Sequence, residues 1–262
     1  MKLSRVIVAA LFLMFAAMGT SFAQTIDELI SKGVIRVGVN SAAPPFSIVN
    51  ASGQIVGYDV DVANTLAEYM GVRAEITAHT TAARIPALET DLVDMVIGTL
   101  TPTPARANVV MFTIPYVTFT TNVIAPAGTE ITSWEDLAGK TVAVARATPQ
   151  EVALVAAAPE GTNISRFDDD SISIQAMASG QVDAVVVPNT ILAEFKKARP
   201  NTDLELKFEI ARQYMSIAVR HDAHDLHQWL NTVLAWMKIS GDLDAISIEW
   251  TGQPFPKDAP VF

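Results

Sequence analysis

Short, nearly unbroken apolar runs alternate with stretches of helical spacing along most of this chain. The runs IRVGVN (Ile35 to Asn40), DMVI (Asp94 to Ile97), TVAVA (Thr141 to Ala145) and DAVVV (Asp183 to Val187) lack a polar face, the pattern of strands covered on both sides. After the first run, Pro44, Pro45 and Phe46 open a loop into a hairpin turning at Ser52-Gly53. Asp59 is placed to cap a helix that carries Val62, Leu66 and Met70 and stops at Gly71. Strands are also expected at residues 74–78, 109–112, 164–167, 204–208 and 214–220, with an extended segment at 117–126. Further helices are expected around Ile85 and Leu88, at Trp134 to Leu137, Gln150 to Ala158 and Ile191 to Ala198, and over Asp222 to Ile239, where Trp229 and Trp236 read as core. Alternating strands and helices predict parallel sheets with helical crossovers. The alternation forms two series, separated near Thr120 and near Gln213. The expected fold class is therefore α/β in two lobes, with residues 24–120 and 214–262 in a discontinuous first lobe and 121–213 in the second.

Composition narrows the setting. The first 23 residues hold Lys2 and Arg5, an apolar run from Val6 to Met18, and Ser21-Phe22-Ala23. These are the parts of a secretory leader cleaved after Ala23, and the apolar run is short for a membrane anchor. Losing Lys2 and Arg5 with it takes the net charge from −10 to −12. Such a chain is not drawn to nucleic acid or anionic membranes by charge, so any basic site must be local. Cysteine is absent, which excludes disulfides, thiolate catalysis and cysteine-zinc sites. Half of the 262 residues are apolar, enough for one large or two modest cores.

Against that acidic background the segment IGTLTPTPAR, Ile97 to Arg106, is distinctive. Hydroxyls, backbone amides and a guanidinium collect where a buried strand ends, the edge at which open α/β sheets bind ligands. A guanidinium matches a carboxylate with a planar fork. Thr148 opens a second-lobe helix, whose amino terminus suits an anion. The alternative is a Thr/Pro turn capping a helix, with Arg106 in solvent.

Read in order, IRVGVN..APPFS, GYDVDVANTLAEYMG, RIPAL, DMVIGTLTPTPAR with FTIPY, WEDLAGKTVAV, ASGQVDAVVV and GDLDAISIEW make this chain similar to the bacterial extracellular solute-binding proteins that serve polar amino acid ABC importers. The resemblance implies a type II periplasmic binding protein fold, two α/β domains joined by a two-strand hinge that close over one small ligand. It implies a periplasmic, monomeric receptor without cofactors that delivers its ligand to an inner-membrane ABC permease. By resemblance Arg106 grips a ligand α-carboxylate, with Thr101, Thr99 and Thr148 beside it. Arg84 matches the arginine of members selective for glutamate or aspartate, and Arg146 adds positive field. Relatives that clamp the ligand between aromatics have them where Ala43 and Thr81 stand here, and binders of cationic ligands often have aspartate where Asn40 stands. Those departures disfavour arginine, lysine or histidine as the ligand, and Arg84 favours glutamate or aspartate. Relatives also place an ammonium-binding aspartate where this chain has Pro188-Asn189, so Asp168 or Asn189 is expected to take that role, unless the ligand is a non-amino organic acid.

A secreted dehydratase of the cyclohexadienyl type resembles the same scaffold and is the enzyme alternative. It needs a carboxylic acid in the cleft, and Glu89, Glu151 and Asp168 are the acids available. His221, His224 and His227 recur every three residues, a spacing that can hold a metal but equally lies along a solvated helix start. No metal or cofactor is expected.

Overall fold

The protein is described over residues 25–256 by a computed structural model, so the expected leader and its cleavage after Ala23 lie outside the described residues. Thr25 caps α1 (Ile26–Lys32), which leads into β1 (Val34–Asn40), a hairpin of β2 (Ile48–Val49) and β3 (Ile55–Val56), and α2 (Tyr58–Met70). Then come β4 (Arg73–His79), α3 (Arg84–Glu89), β5 (Met95–Val96), the single-turn α4 (Pro104–Ala107) and the long β6 (Val110–Pro126). The second series holds a 3-10 turn (Glu135–Leu137), β7 (Thr141–Ala145), α5 (Pro149–Ala157), β8 (Asn163–Phe167), α6 (Asp170–Ala178), β9 (Ala184–Pro188) and α7 (Asn189–Ala198). A second long strand, β10 (Leu204–Arg220), returns the chain to α8 (His224–Ser240) and α9 (Asp242–Thr251).

One eight-stranded sheet in the order β4-β1-β5-β10-β6-β9-β7-β8 spans both series. β1 is parallel to β4 and β5, and β7 is parallel to β8 and β9, as helical crossovers require. The antiparallel pair β6 and β10 joins the halves, running from Leu204 opposite Pro126 to Arg220 opposite Val110. Each of these 17-residue strands reads in sequence as two shorter ones. The reason is local. Register shifts at four places, one of them beside Pro115, absorb the residues that break the ladder, and the stretch Glu209 to Arg212 is largely exposed and so looks like a loop.

Strand residues alternate between two buried layers. Val37, Val39, Met95, Ile217 and Val219 pack in one core with Leu66 of α2 and Leu230 of α8, while Val96, Ala218 and Val110 pack with Leu88 on the opposite face. In the other half Ala143, Val185 and Val187 meet Ile174 and Ile191, and Val142, Val144 and Val186 meet Leu137 and Leu154. Burial of each such side chain contributes about 1.5–3 kcal/mol, and covering both faces is why the runs show no polar alternation.

Two helix readings change. Gly57, not Asp59, precedes α2, with φ 139° and a position where any Cβ would lie 2.2 Å from the Phe46 carbonyl oxygen. Only glycine fits there, and Asp59 moves inside the helix with its side chain fully buried. On α8 the buried stripe is Leu226, Leu230, Leu234 and Met237; Trp236 falls off it and is 54% exposed, while Trp229 packs partly against the core. His221 and His227 each contact a backbone carbonyl, of Ala107 and Phe112.

Candidate functional site

The end of β5 builds one wall of a cavity between the two halves. Beyond Val96, the Ile97 amide donates to the Gly38 carbonyl, and the chain turns at Thr99 with φ 50°. Gly98 lies so close to β1 that a Cβ there would meet the Asn40 nitrogen at 3.0 Å. Absence of that Cβ lets Arg84 donate from Nη1 to the Gly98 carbonyl, while its Nε donates to the Thr81 carbonyl at 3.1 Å. Thr103 then caps α4, accepting the Arg106 amide at 3.3 Å, and Pro104 supplies a ready-made first helical residue. This one turn fixes Arg106 over the cavity. Its Nη1 donates to the Thr101 carbonyl at 2.9 Å and its Nη2 crosses to the Ala147 carbonyl at 2.8 Å.

The opposite wall comes from the starts of α5 and α6. The Thr148 hydroxyl caps α5, accepting the Glu151 amide at 3.2 Å and donating to the Ala145 carbonyl at 2.7 Å. Pro149 follows it, and Gln150 is buried with Nε2 3.4 Å from Asp170 Oδ1. Hinge strands supply the floor: Gln213 of β10 accepts the Thr101 hydroxyl at 2.5 Å and donates to Thr121 Oγ1 at 2.6 Å. The Ser171 hydroxyl donates to the Ala42 carbonyl at 3.0 Å, a second contact across the opening. The enclosed space between these groups is only about 20 Å³, so the walls must part to admit a ligand.

Of the residues singled out in the sequence, Arg106, Thr101, Thr99, Thr148, Arg84 and Asn40 line this one cavity. Arg146, Asp168 and Asn189 do not. Arg146 and Asp168 pair with each other at 3.2 Å, with side chains 52% and 61% exposed. Asn189 opens α7 and accepts the Thr120 amide at 3.3 Å. The three successive aspartates divide three ways: Asp168 turns outward, Asp169 caps α6 by accepting the Ile172 amide at 2.8 Å, and Asp170 lines the cavity. Helix phase decides this, since the cap residue must face its own helix and its neighbours diverge from it. Asp170 is therefore the acid that a reading of the spacing misses. Phe119, Gln150, Gln213 and Met215 are further cavity residues with no sequence signal, because hinge and helix geometry alone bring them there.

Electrostatically the cavity is unbalanced. Burial lowers the Arg84 guanidinium to about 10, against the favourable charges of Asp170, Tyr116 and Asp59. Burial, with Arg84 nearby, lowers Arg106 to about 10 as well. Neither arginine makes a carboxylate ion pair within 4 Å among the described residues. Burial raises the Asp170 carboxyl to about 7, opposed by the Gln150 hydrogen bond and the Arg84 charge. Two guanidiniums and the Asp170 carboxyl line the cavity itself, while Asp59 acts on Arg84 from behind it.

Comparison with known proteins agrees in kind. The profile of the bacterial extracellular solute-binding proteins, family 3, matches residues 35–253. The L-cystine-binding protein TcyJ of Escherichia coli K12 is 28% identical over 234 residues, 88% of each chain. The ABC transporter arginine-binding protein 1 of the same organism is 31% identical over 223 residues, 84% of this chain and 91% of the relative. Among solved structures, an ancestral amino acid-binding protein described as a precursor of cyclohexadienyl dehydratase superposes with a TM-score of 0.77 at 31% identity, covering 86% of this chain and 98% of that one.

Proposed function

Because the chain belongs to the bacterial extracellular solute-binding proteins of family 3 and has a type II periplasmic binding protein fold, we propose that it passes an amino acid to an ABC importer and that this ligand is acidic, glutamate or aspartate. The observation that carries this reading is the pair of cavity guanidiniums, Arg84 buried and Arg106 half-buried, without a carboxylate ion pair among the described residues. An α-carboxylate on Arg106, an α-ammonium on Asp170 and a side-chain carboxylate on Arg84 leave every charge in the cavity matched. A cationic side chain would meet Arg84 with neither an aromatic clamp nor a second acid beside Asn40, and an unmatched buried charge costs several kcal/mol. Cystine, named for one relative, also carries two carboxylates but needs a second ammonium acceptor.

The lobes that close are residues 24–120 with 214–262, and 121–213. The separate cores and the two connecting strands support that division. Export with cleavage after Ala23, a periplasmic location and a monomeric receptor complete the reading. Binding titrations of the mature protein with glutamate, aspartate, cystine, arginine, histidine and uncharged sugars test it. Selective binding of the acidic pair is the expected result, and selective binding of arginine, histidine or sugars would overturn it.

A second reading, dehydration chemistry, is favoured by Asp170 alone, a buried carboxyl that holds a proton near neutral pH as a general acid must. Incubation with prephenate or arogenate, followed by product detection, separates the two.

A further inference from the structure

Behind the threonine loop stands a buried carboxyl that no ligand contact explains. Asp59 of α2 is fully buried, and its Oδ1 accepts the Tyr116 hydroxyl at 2.7 Å. The same phenol oxygen accepts the backbone N–H of Thr99 at 3.2 Å. Asp59 Oδ2 is buried as well and has no hydrogen-bond partner among the described residues. Tyr116 is held in place, because the Tyr58 hydroxyl donates to its carbonyl at 2.7 Å. Thr99 has φ 50°, a conformation that disfavours a β-branched residue and persists only where the surroundings hold it.

A single phenol therefore joins the buried carboxyl to the strained turn that lines the ligand cavity. We infer that Asp59 is a positioning residue for the Thr99 turn, acting through Tyr116, and that proton uptake by Asp59 weakens this relay and loosens the turn. With Asp59 ionised, Tyr116 donates to the carboxylate and its lone pair receives the Thr99 amide. With a proton taken from solvent onto the unpartnered Oδ2, Tyr116 donates to the carbonyl oxygen of a neutral acid, a weaker acceptor than a carboxylate. The phenol O–H is then less polarised, and its oxygen becomes a poorer acceptor for the Thr99 amide.

The surroundings allow that proton to be exchanged near neutral pH. Burial pushes Asp59 up to about 7, opposed by the Tyr116 hydrogen bond and by the Arg84 charge. The groups facing it are Tyr58 on its own helix, Tyr116 on β6 and Arg84 on α3; Asp244 of α9 acts on Tyr58, and Asp170 acts on Arg84 from across the cavity. Asp170 titrates in the same range, so any test must separate the two carboxyls.

The Thr99 amide resonance of the ligand-free protein, followed from pH 5 to 9, does so. The expected result is a titration with a midpoint near 7 that persists in Asp170→Asn and disappears in both Asp59→Asn and Tyr116→Phe. A flat Thr99 resonance in the wild type, or a titration that survives Asp59→Asn, would overturn the inference. Asp59→Asn is nearly isosteric and keeps an acceptor for the phenol. The effect on affinity rests on the proposed function, with L-glutamate as the probe: Tyr116→Phe is expected to raise its Kd at pH 8 about tenfold, equivalent to 1.4 kcal/mol. An unchanged Kd beside a titrating amide would overturn the link from turn to site. Failure of L-glutamate to bind the wild type would refute the proposed ligand and leave the amide result to decide the relay.

Discussion

Arg106 shows what one side chain contributes. Its guanidinium is held by two carbonyls from opposite walls, which leaves further N–H groups for a carboxylate. Charge-assisted hydrogen bonds contribute roughly 1.5–3 kcal/mol each, so Arg106→Ala is expected to weaken amino acid binding by at least about tenfold in calorimetric titration. Asp170 gives a second expectation, in pH. Its carboxyl is held at about 7 in the folded protein, above the roughly 3.9 of an unfolded chain, so the folded state holds this proton more tightly. The resulting stability is complete below about pH 4 and is lost as pH rises through about 7. The melting temperature of the ligand-free protein should accordingly fall over that range, and less steeply in Asp170→Asn, with Asp59 supplying the remainder. At this scale sequence reading singled out Arg84 and Arg106, which follow strand ends and line the cavity. It failed within Asp168 to Asp170, where three identical side chains differ only in the direction that the helix start gives them.

Elements explain why that direction is fixed. Thr148 and Asp169 each cap a second-half helix at the cavity, and the caps set where Gln150 and Asp170 point. Thr148→Ala is expected to cost about 1 kcal/mol of stability in urea unfolding, through loss of the cap. Gly57 has a stricter role at the start of α2. An added Cβ would collide with the Phe46 carbonyl, and φ is 139°, so Gly57→Ala should lower unfolding free energy by about 2 kcal/mol or more. Helix and strand positions were legible from the apolar runs because both sheet faces are covered. The long strands were not, since their ladder is bulged, β6 carries Pro115 and the middle of β10 is exposed, and a strand paired along its length needs no apolar pattern to persist.

For the whole molecule, the site exists only where the two halves meet. Arg106 reaching Ala147 and Ser171 reaching Ala42 show walls from opposite halves in contact, linked through β6 and β10. A ligand that touches both walls stabilises their closed arrangement by its differential contacts. At about a hundredfold excess over Kd the folded protein gains about 2.7 kcal/mol, so a true ligand should raise the melting temperature by several degrees in a thermal-shift assay. The amino-acid sequence by itself determined the alternation of strands and helices, the family and the strand-end arginines, because each follows from local periodicity or short-range order. Tertiary structure alone decided which aspartate enters the cavity, how Asp59 reaches Thr99 through Tyr116, and that hinge residues such as Gln213 form its floor. Those depend on helix phase and on contacts between residues far apart in the chain, which no local pattern encodes.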